Sequence, residues 1–421
     1  MIERNIDIAI AGGGIVGLTT ALSLHAAGFR PTVYEAVAAP TPLGVGINLL
    51  PHAVRELTEL GLLDELLSLG IAIDSLHYLT SNGEEVWQEP RGLAASYHWP
   101  QIAIHRGKLQ MFLLEKTIER LGANAVHLGH KLVALEGDST RTRARFVKRN
   151  GEETVVDADL LLGADGIHSA VRRHFYPDEG APRWNGITLW RSTTLVKAPM
   201  GGKAMVWAGW HAQKFVAYPI GVDPETGLDI LNWICDLKVS DGEMLPVRDW
   251  NRPGNRDDFA NAFADWKWSD VDVPTIVANS GPIYEFPMVD RDPLPRWTFG
   301  MVTLLGDAAH PMYPVGSNGA TQGVLDARVL AYHLATAANL PEALARYETE
   351  RREATSTIVL MNRQMGPDRV LELAVERRKS SNGDLDTILP MAERAAIAEE
   401  YKQIAGFSSA SLNARGSYSV R

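Results

Sequence analysis

Residues 6–17 read IDIAIAGGGIVG, an apolar β-branched run that passes directly into closely spaced glycines. The run predicts a buried parallel strand, and residues 15–27 predict a helix behind it. A strand, a glycine-rich turn and a helix in this order are typical of a dinucleotide site. In such a site Gly12 makes the tight turn, Gly14 lets the backbone approach a pyrophosphate, and Gly17 lets helix and strand pack closely.

An acidic residue follows at the spacing that this site requires. Thr32–Glu35 reads as the second strand, and Glu35 lies 18 positions after Gly17 (35 − 17). This is close to the offset of about 20 residues expected for the acid that binds the ribose hydroxyls. A glycine-rich turn without a ligand is the alternative, and the strand, helix and acid together argue against it.

Composition restricts the remaining classes. The chain has 421 residues, 45% of them hydrophobic, with a net charge of −10. This length predicts two domains, and the acidic balance argues against nucleic acid or anionic lipid as a partner. The single cysteine, Cys235, excludes an intrachain disulfide and suits a reducing cytoplasm. Scattered histidines predict no bound metal, and no apolar run approaches the ~20 residues of a membrane span.

Two more strand-and-turn segments follow far along the chain: Gly163-Ala-Asp165-Gly166 and Gly306-Asp307-Ala-Ala-His-Pro311. Asp165 has two interpretations, a ligand-site residue or a side chain that fastens its own turn. We call the Gly163 segment the second motif and the Gly306 segment the third motif. Downstream of the third motif, residues 319–337 predict a helix whose N-terminal N–H groups are open to an electron-rich ligand group. Together, in this order, the three segments predict FAD.

With these motifs in place, the chain resembles the class A flavoprotein aromatic hydroxylases, and most of all their phenazine-modifying members. The resemblance spans most of residues 5–365 and includes 42–48, 89–92, 105–107, 190–191, 249–252 and 286–295. It implies a cycle in which NADH or NADPH binds transiently and reduces FAD. Reduced flavin then meets O2, and a C4a-hydroperoxide hydroxylates a planar aromatic or N-heteroaromatic substrate, with or without decarboxylation.

The motifs and the resemblance together give the expected site residues. Those for FAD come from the three motifs, the glycine-containing 44–48 loop and the helix that Arg106 opens: Gly12, Gly14, Ile15, Val16, Gly17, Glu35, Ala36, Gly46, Arg106, Gln110, Leu132, Asp165, Gly166, Gly306, Asp307, Pro314, Gly316, Asn318 and Gly319. The flavin is expected to be the chemical catalyst, with Pro311, Tyr218 and Arg191 as the candidate assisting residues.

Substrate contacts are expected from the aromatic strands and the third motif: Trp190, Arg191, Met205, Trp207, Tyr218, Trp233, Tyr313, Pro311 and Pro314. Strand alternation does not say which face meets the flavin. Arg191 has two open roles, binding a substrate carboxylate or phenolate, or bridging domains. A redox sensor without turnover and a flavin halogenase are the alternatives. The tryptophan-rich strands argue against the sensor, and the missing W-x-W-x-I signature argues against the halogenase.

The predicted fold is α/β (α+β overall): a Rossmann-like FAD-binding domain interleaved with a β-sheet substrate domain, plus C-terminal helices. The predicted ranges are 1–75, 101–183 and 288–370 for FAD, 76–100 and 184–287 for substrate, and 371–421 for the helical tail. Single continuous elements are expected at 52–69, 126–135, 157–162 and 341–369, and a frayed end after residue 406. A cytoplasmic monomer or homodimer is expected.

Overall fold

A computed structural model describes residues 2–42, 45–137, 141–240, 252–269, 271–381 and 383–420. The expected flavin-lining Gly44 and the 249–251 part of one resembling stretch lie outside these residues. Twenty-one strands fall within them: β1 Ile8–Ala11, β2 Thr32–Glu35, β3 Gly46–Leu49, β4 Gly70–Ile73, β5 Ser75–Leu79, β6 Glu85–Pro90, β7 Gln101–His105, β8 Val126–Leu128, β9 Lys131–Gly137, β10 Thr142–Val147, β11 Glu153–Ala158, β12 Leu160–Gly163, β13 Arg183–Val196, β14 Ala204–Trp210, β15 Gln213–Val222, β16 Asp229–Lys238, β17 Lys267–Trp268, β18 Val271–Asp272, β19 Tyr284–Asp290, β20 Thr298–Phe299 and β21 Val302–Leu304.

Twelve α-helices fall within the same residues: α1 Ile15–Ala26, α2 Pro51–Glu59, α3 Leu63–Leu69, α4 Arg106–Leu121, α5 Ala170–Phe175, α6 Val273–Ala278, α7 Gly319–Thr336, α8 Leu340–Arg363, α9 Arg369–Ser380, α10 Leu385–Ile388, α11 Met391–Ile404 and α12 Ser409–Ala414. In the described part of the chain, no helix combines the length and apolarity needed to cross a membrane.

The apolar runs before the three glycine motifs become neighbouring strands of one sheet, in the order β20-β21-β12-β1-β2-β8. All pairs in it are parallel except β20 with β21. Ala11 is paired with Gly163, and Gly163 with Leu304. Because the three strands end in register, the three motifs start at the same edge of the sheet.

A second, seven-stranded sheet has the order β19-β13-β16-β15-β14-β5-β6. Its pairs are antiparallel except β5 with β14, so the early hairpin joins strands that come more than a hundred residues later. The mixed α/β fold with C-terminal helices is therefore confirmed. The exact domain limits stay a prediction, and β19 reaches Asp290, past the expected limit at 287.

Four elements expected to be continuous are broken, and those predictions are wrong. Residues 52–69 form two helices separated by Gly61, which has a φ of 71°, and Gly129, with a φ of 74°, separates β8 from β9. β11 and β12 belong to different sheets although only one residue lies between them. The 341–369 helix ends at Arg363, and Met365 follows with a φ of 72°. The positive φ values of Gly61, Gly129 and Met365 differ from the helical and extended conformations on either side, and each of these residues lies at a break.

The chain end is packed rather than frayed, so that prediction is also wrong. The Arg55 guanidinium donates to the carbonyl oxygens of Leu412, Arg415 and Gly416 at 3.1, 2.8 and 2.8 Å. The Phe407 ring stacks on His52 with 4.9 Å between centroids. The serine-rich composition gave no sign of these contacts, because they depend on an arginine more than 350 residues away.

Candidate active site

Close backbone contacts shape the turn after β1. Gly12 has a φ of 108°, and a Cβ at this position would collide with the carbonyl of Ala164 in the second motif. A Cβ on Gly17 would collide with the carbonyl of Gly12. A Cβ on Gly14, in contrast, would meet no atom within 4 Å, which leaves room for a ligand group beside the N-terminus of α1. Ile15 and Val16 form the first turn of that helix.

The acid at the end of β2 is fixed over the same turn. Glu35 accepts a hydrogen bond from the N–H of Gly13 at 2.6 Å and one from the N–H of Val37 at 2.7 Å. Gln110 of α4 donates to the Gly13 carbonyl at 3.0 Å. Each carboxylate oxygen retains further acceptor capacity, so Glu35 can still accept ribose hydroxyls. Of the other two residues expected here, Ala36 is exposed and Leu132 is buried in the adjacent core.

The second motif supports the interpretation of Asp165 as a turn-fastening residue. Its carboxylate accepts hydrogen bonds from the Ser169 hydroxyl at 2.5 Å and from the N–H of Ala170 at 2.7 Å. It therefore satisfies donors at the start of α5. Gly166 has a φ of 74° and open space on its Cβ side. The turn that touches Gly12 is thus rigid before any ligand arrives.

A buried aspartate that the motif reading missed holds the third motif in place. Asp326 of α7 accepts hydrogen bonds from the Gly306 N–H at 2.9 Å, His310 Nε2 at 2.5 Å and Arg351 Nε at 2.8 Å. Burial alone would raise the pKa of Asp326, but His310 and Arg351 lower it to about 2. Gly306 in turn packs against Val16, where a Cβ would lie only 2.8 Å from Cγ2. The available signal was that Asp326 is the only acidic residue of α7.

Asp307 lies where the third motif faces the start of α4. The residue is solvent-accessible, but it sits in a cleft whose walls raise its pKa, while nearby His310 and Arg106 lower it. Gly319 opens α7, and a Cβ on it would meet nothing within 4 Å. Because the α7 N-cap makes no side-chain capping bond, the first N–H groups of that helix are available to a ligand.

The turn before α7 is supported by a C-terminal helix that lies outside the family resemblance. Asn318 donates its amide N–H to the Tyr401 hydroxyl at 2.8 Å, and Tyr401 donates to Asn362 Oδ1 at 3.0 Å. Gly316 has a φ of 70°, and a Cβ there would collide with the Tyr401 hydroxyl. Asn318 therefore uses its side chain to anchor the turn, and only its backbone remains for a ligand. Pro314 is exposed to the cleft, whereas Pro311 is buried behind it.

Gly46 of β3 connects the nucleotide region to the seven-stranded sheet. Its carbonyl accepts hydrogen bonds from Arg191 Nη2 at 2.8 Å and from the Tyr218 hydroxyl at 3.0 Å. Its N–H donates to Asn232 Oδ1 at 2.7 Å, and a Cβ would lie within 3 Å of Tyr218 and Asn232. Of the two roles left open for Arg191, bridging is the one that its hydrogen bond to Gly46 supports.

The expected substrate residues of the seven-stranded sheet lie on two different faces. Arg191, Met205, Trp207 and Tyr218 lie on the face toward the flavin motifs, together with Tyr313. Trp190 and Trp233 lie on the other face, in a core that also holds Cys235. Trp190 stacks there on Phe259, and Trp233 donates to the Thr194 hydroxyl at 3.1 Å. The prediction that these two tryptophans contact substrate is therefore wrong, because strand alternation points them away.

Met205 and Trp207 are on the correct face but are covered. They share an apolar cluster with Val370, Leu371 and Ala374 of α9, and both are buried. Met205 also accepts a contact from Gln101 Nε2 at 3.1 Å. The sequence analysis did not predict that the C-terminal helices contact this face. In the structure, α9 covers Met205 and Trp207, where substrate was expected.

A cavity of about 480 Å³ lies between this face of the sheet, the third motif and the end of α8. Tyr313 is the one expected substrate residue that lines it. Apolar and charged side chains also line the cavity, among them Arg183, Ile187, Lys214, Asp236, Met288, Val315, Arg363 and Asp368. The volume is within the ~300–1,000 Å³ typical of small-molecule sites. Among the described residues, no group of three or more His, Cys, Asp or Glu could hold a metal ion.

The geometry defines a flavoprotein of the dinucleotide-binding fold with a cavity beside its third motif. Open space beside Gly14 and Gly319, the acid at Glu35 and two helix N-termini fit the phosphates, ribose and ring edge of FAD. A family model described as "FAD binding domain" matches residues 5–361, and the chain belongs to this family.

Individual relatives give the same result. The chain is 43% identical over 403 residues to a phenazine 1,6-dicarboxylic acid hydroxylase of Lysobacter antibioticus, covering 94% of this chain and 97% of the relative. It is 32% identical to a 3-amino-4-hydroxybenzoate 2-monooxygenase of Streptomyces platensis, covering 97% and 98%. A salicylate hydroxylase substrate complex has the same fold, with a TM-score of 0.75, 20% identity and 97% coverage of both chains.

These findings confirm FAD as the cofactor and the assignment as an FAD-dependent monooxygenase, a class that typically uses NAD(P)H. They give no support to the redox sensor or to the halogenase. The resemblance to class A aromatic hydroxylases, seen first in the motifs, is confirmed as well. The individual ligand contacts stay predictions.

Proposed function

We propose that this enzyme hydroxylates a planar N-heteroaromatic carboxylic acid of the phenazine type, with NADH or NADPH and O2 as co-substrates. The observation that carries the proposal is the 43% identity to a phenazine dicarboxylic acid hydroxylase over nearly the full length of both chains. The cavity of about 480 Å³ beside the third flavin motif supports it, because its size suits a multi-ring ligand. We also propose that the enzyme is a cytoplasmic monomer or homodimer.

Bound FAD supplies the electron transfer and oxygen activation, and the chain supplies binding, orientation and electrostatics. Gly14 and the N-terminus of α1 receive the diphosphate, and Glu35 receives the ribose hydroxyls. Asp307 would accept hydrogen bonds from the ribityl chain, and the nearby charge of Arg106 favours the ionised carboxylate that this role needs. The N-terminus of α7, with its uncapped N–H groups and positive dipole end, would lie beside the ring edge and would favour negative charge there.

The cavity positions the substrate. Ile187 and Met288 provide apolar surface from the sheet, and Tyr313 covers the side toward the flavin motifs. Arg183 is 64% exposed and forms a 2.8 Å ion pair with Asp292, which also binds Arg363. Productive orientation of the substrate in this cavity is the chain's main contribution to rate.

The proposal is tested with purified FAD-loaded protein. NADH and NADPH oxidation are measured alone and with phenazine-1-carboxylate, phenazine-1,6-dicarboxylate, salicylate or 3-amino-4-hydroxybenzoate. We expect the phenazine acids to accelerate oxidation most, and mass spectrometry to show one oxygen atom from heavy-isotope O2 in the product. Preference for a single-ring benzoate, or a product without oxygen from O2, would contradict the proposal.

A further inference from the structure

Three charged side chains form a buried cluster at one end of the cavity. Lys214 of β15 and Asp236 of β16 are cross-strand partners, and Lys214 Nζ lies 3.5 Å from Asp236 Oδ2. Lys214 also forms an ion pair and hydrogen bond with Asp368, which follows α8 in a short turn. Their exposures are 8%, 3% and 8%, and all three line the cavity. Two carboxylates thus share one ammonium group away from bulk water.

The cluster has unused hydrogen-bond acceptors. Within the described residues, neither Asp236 Oδ1 nor Asp368 Oδ1 has a hydrogen-bond partner, and both atoms are buried. The two arginines of the cavity are committed elsewhere: Arg363 binds Asp290 and Asp292, and Arg183 binds Asp292. Buried carboxylate oxygens in a purely structural ion cluster are normally all satisfied. Two open acceptors beside a cavity instead indicate a ligand that brings donors.

The position of the cluster relates it to the far end of a substrate. Asn232 and Asp236 lie on the same face of β16, four residues apart, so about 13 Å separates them at the rise of a strand. Asn232 binds Gly46 near the flavin motifs, and apolar Ile234 lies between the two polar residues. The cavity itself extends from Tyr313 and Val315 of the third motif to the cluster, so a linear system of fused rings that starts beside the third motif can extend toward the cluster.

We propose that Lys214, Asp236 and Asp368 form a subsite that binds a hydrogen-bond donor on the distal ring of the substrate. Rotation of either carboxylate about its Cβ–Cγ bond would turn its unpartnered oxygen to the cavity, where a hydroxyl, an amino group or a ring N–H of the substrate would donate to it. A second carboxylate would face two like charges for one ammonium, so this chain would prefer a donor-bearing phenazine acid to a dicarboxylate. This inference rests on the proposed function and specifies its substrate.

The first experiment uses the unchanged holoenzyme and matched ligands. Dissociation constants are measured from flavin absorbance changes for phenazine-1-carboxylates that carry hydroxyl, methoxy, amino, dimethylamino or carboxylate at position 6. We expect hydroxyl to bind at least about tenfold more tightly than methoxy, and amino than dimethylamino, since hydrogen bonds to charged groups have this magnitude. Equal binding within each pair, or tightest binding of the dicarboxylate, would overturn the subsite.

The second experiment assigns the preference to the cluster. The quantity compared is the dissociation constant of the methoxy ligand divided by that of the hydroxyl ligand. In Asp236→Asn and Asp368→Asn this ratio should fall to less than about threefold, because an amide accepts a hydrogen bond more weakly than a carboxylate. Asp292→Asn, at the mouth, is the matched control and should change both constants alike, leaving the ratio intact. A ratio unchanged in both cluster variants, with FAD absorbance and far-UV circular dichroism preserved, would refute the assignment.

The two proposals fail in different ways. If no phenazine acid binds or is oxygenated, the proposed function fails. If phenazine acids are oxygenated but donors at position 6 make no difference to binding, the function stands and the subsite fails. Should both cluster variants not fold, the ligand pairs on the unchanged enzyme still decide the question.

Discussion

Replacing Asp326 by Asn tests whether this aspartate organises the third flavin motif. Its two oxygens accept three hydrogen bonds, from Gly306 and His310 on Oδ2 and from Arg351 on Oδ1. Asn has the same shape but only one acceptor oxygen. The best orientation of the amide keeps the first two bonds and points an N–H group at the guanidinium of Arg351.

The expected cost follows from these contacts. Breaking one partner of a buried ion pair typically costs about 3–5 kcal/mol. Arg351 retains a 2.6 Å hydrogen bond to Gln322 Oε1, which places the expected loss in the free energy of unfolding near the lower end, about 3 kcal/mol. Asp157→Asn is the matched control, because its ion pair with Arg143 lies at the surface and is screened by solvent, so it contributes little to stability.

Urea unfolding of the FAD-free variants, followed by tryptophan fluorescence and circular dichroism, measures this difference. The pH dependence has a defined sign. The folded-state pKa of about 2 lies below the ordinary value of 3.8, so the stabilisation is present above pH 3.8 and is lost as the pH falls toward 2. The gap between wild type and Asp326→Asn should therefore narrow in that window. A loss no larger than that of Asp157→Asn would refute the reasoning.

Four further substitutions test the cofactor site. Gly14→Ala should leave the ligand-free stability within about 0.5 kcal/mol and weaken FAD binding at least tenfold, measured by calorimetry; unchanged binding would remove Gly14 from the diphosphate site. Asp307→Ala should weaken FAD binding by roughly 1.5–3 kcal/mol, and an unaltered dissociation constant would exclude the ribityl contact. Gly319→Val should retain FAD, but FAD reduction should slow and hydrogen peroxide should be released. If the variant forms as much product per NADH oxidised as the wild type, the flavin ring does not closely approach Gly319. Tyr401→Phe should shift the flavin midpoint potential and weaken FAD a few-fold through loss of the Asn318 bond, whereas wild-type values of both would assign Tyr401 to packing alone.

The nucleotide site was predictable from the sequence because its chemistry is local. Gly12, Gly14 and Gly17 make a turn whose geometry depends on a few consecutive residues, and Glu35 follows within the same βαβ unit. The other two motifs each carry their own strand and turn. The observed parallel order, with Ala11 beside Gly163 and Gly163 beside Leu304, only brings together what each segment already specified.

The substrate side was decided by the tertiary structure. A strand buried on both faces has the same pattern whichever face meets the ligand, so Trp190 and Trp233 could not be told apart from Tyr218 by alternation. Lys214, Asp236 and Asp368 read as unrelated charges until the sheet and the turn after α8 place them together. Their proximity is set by long-range packing, which a sequence pattern with a range of a few residues does not encode.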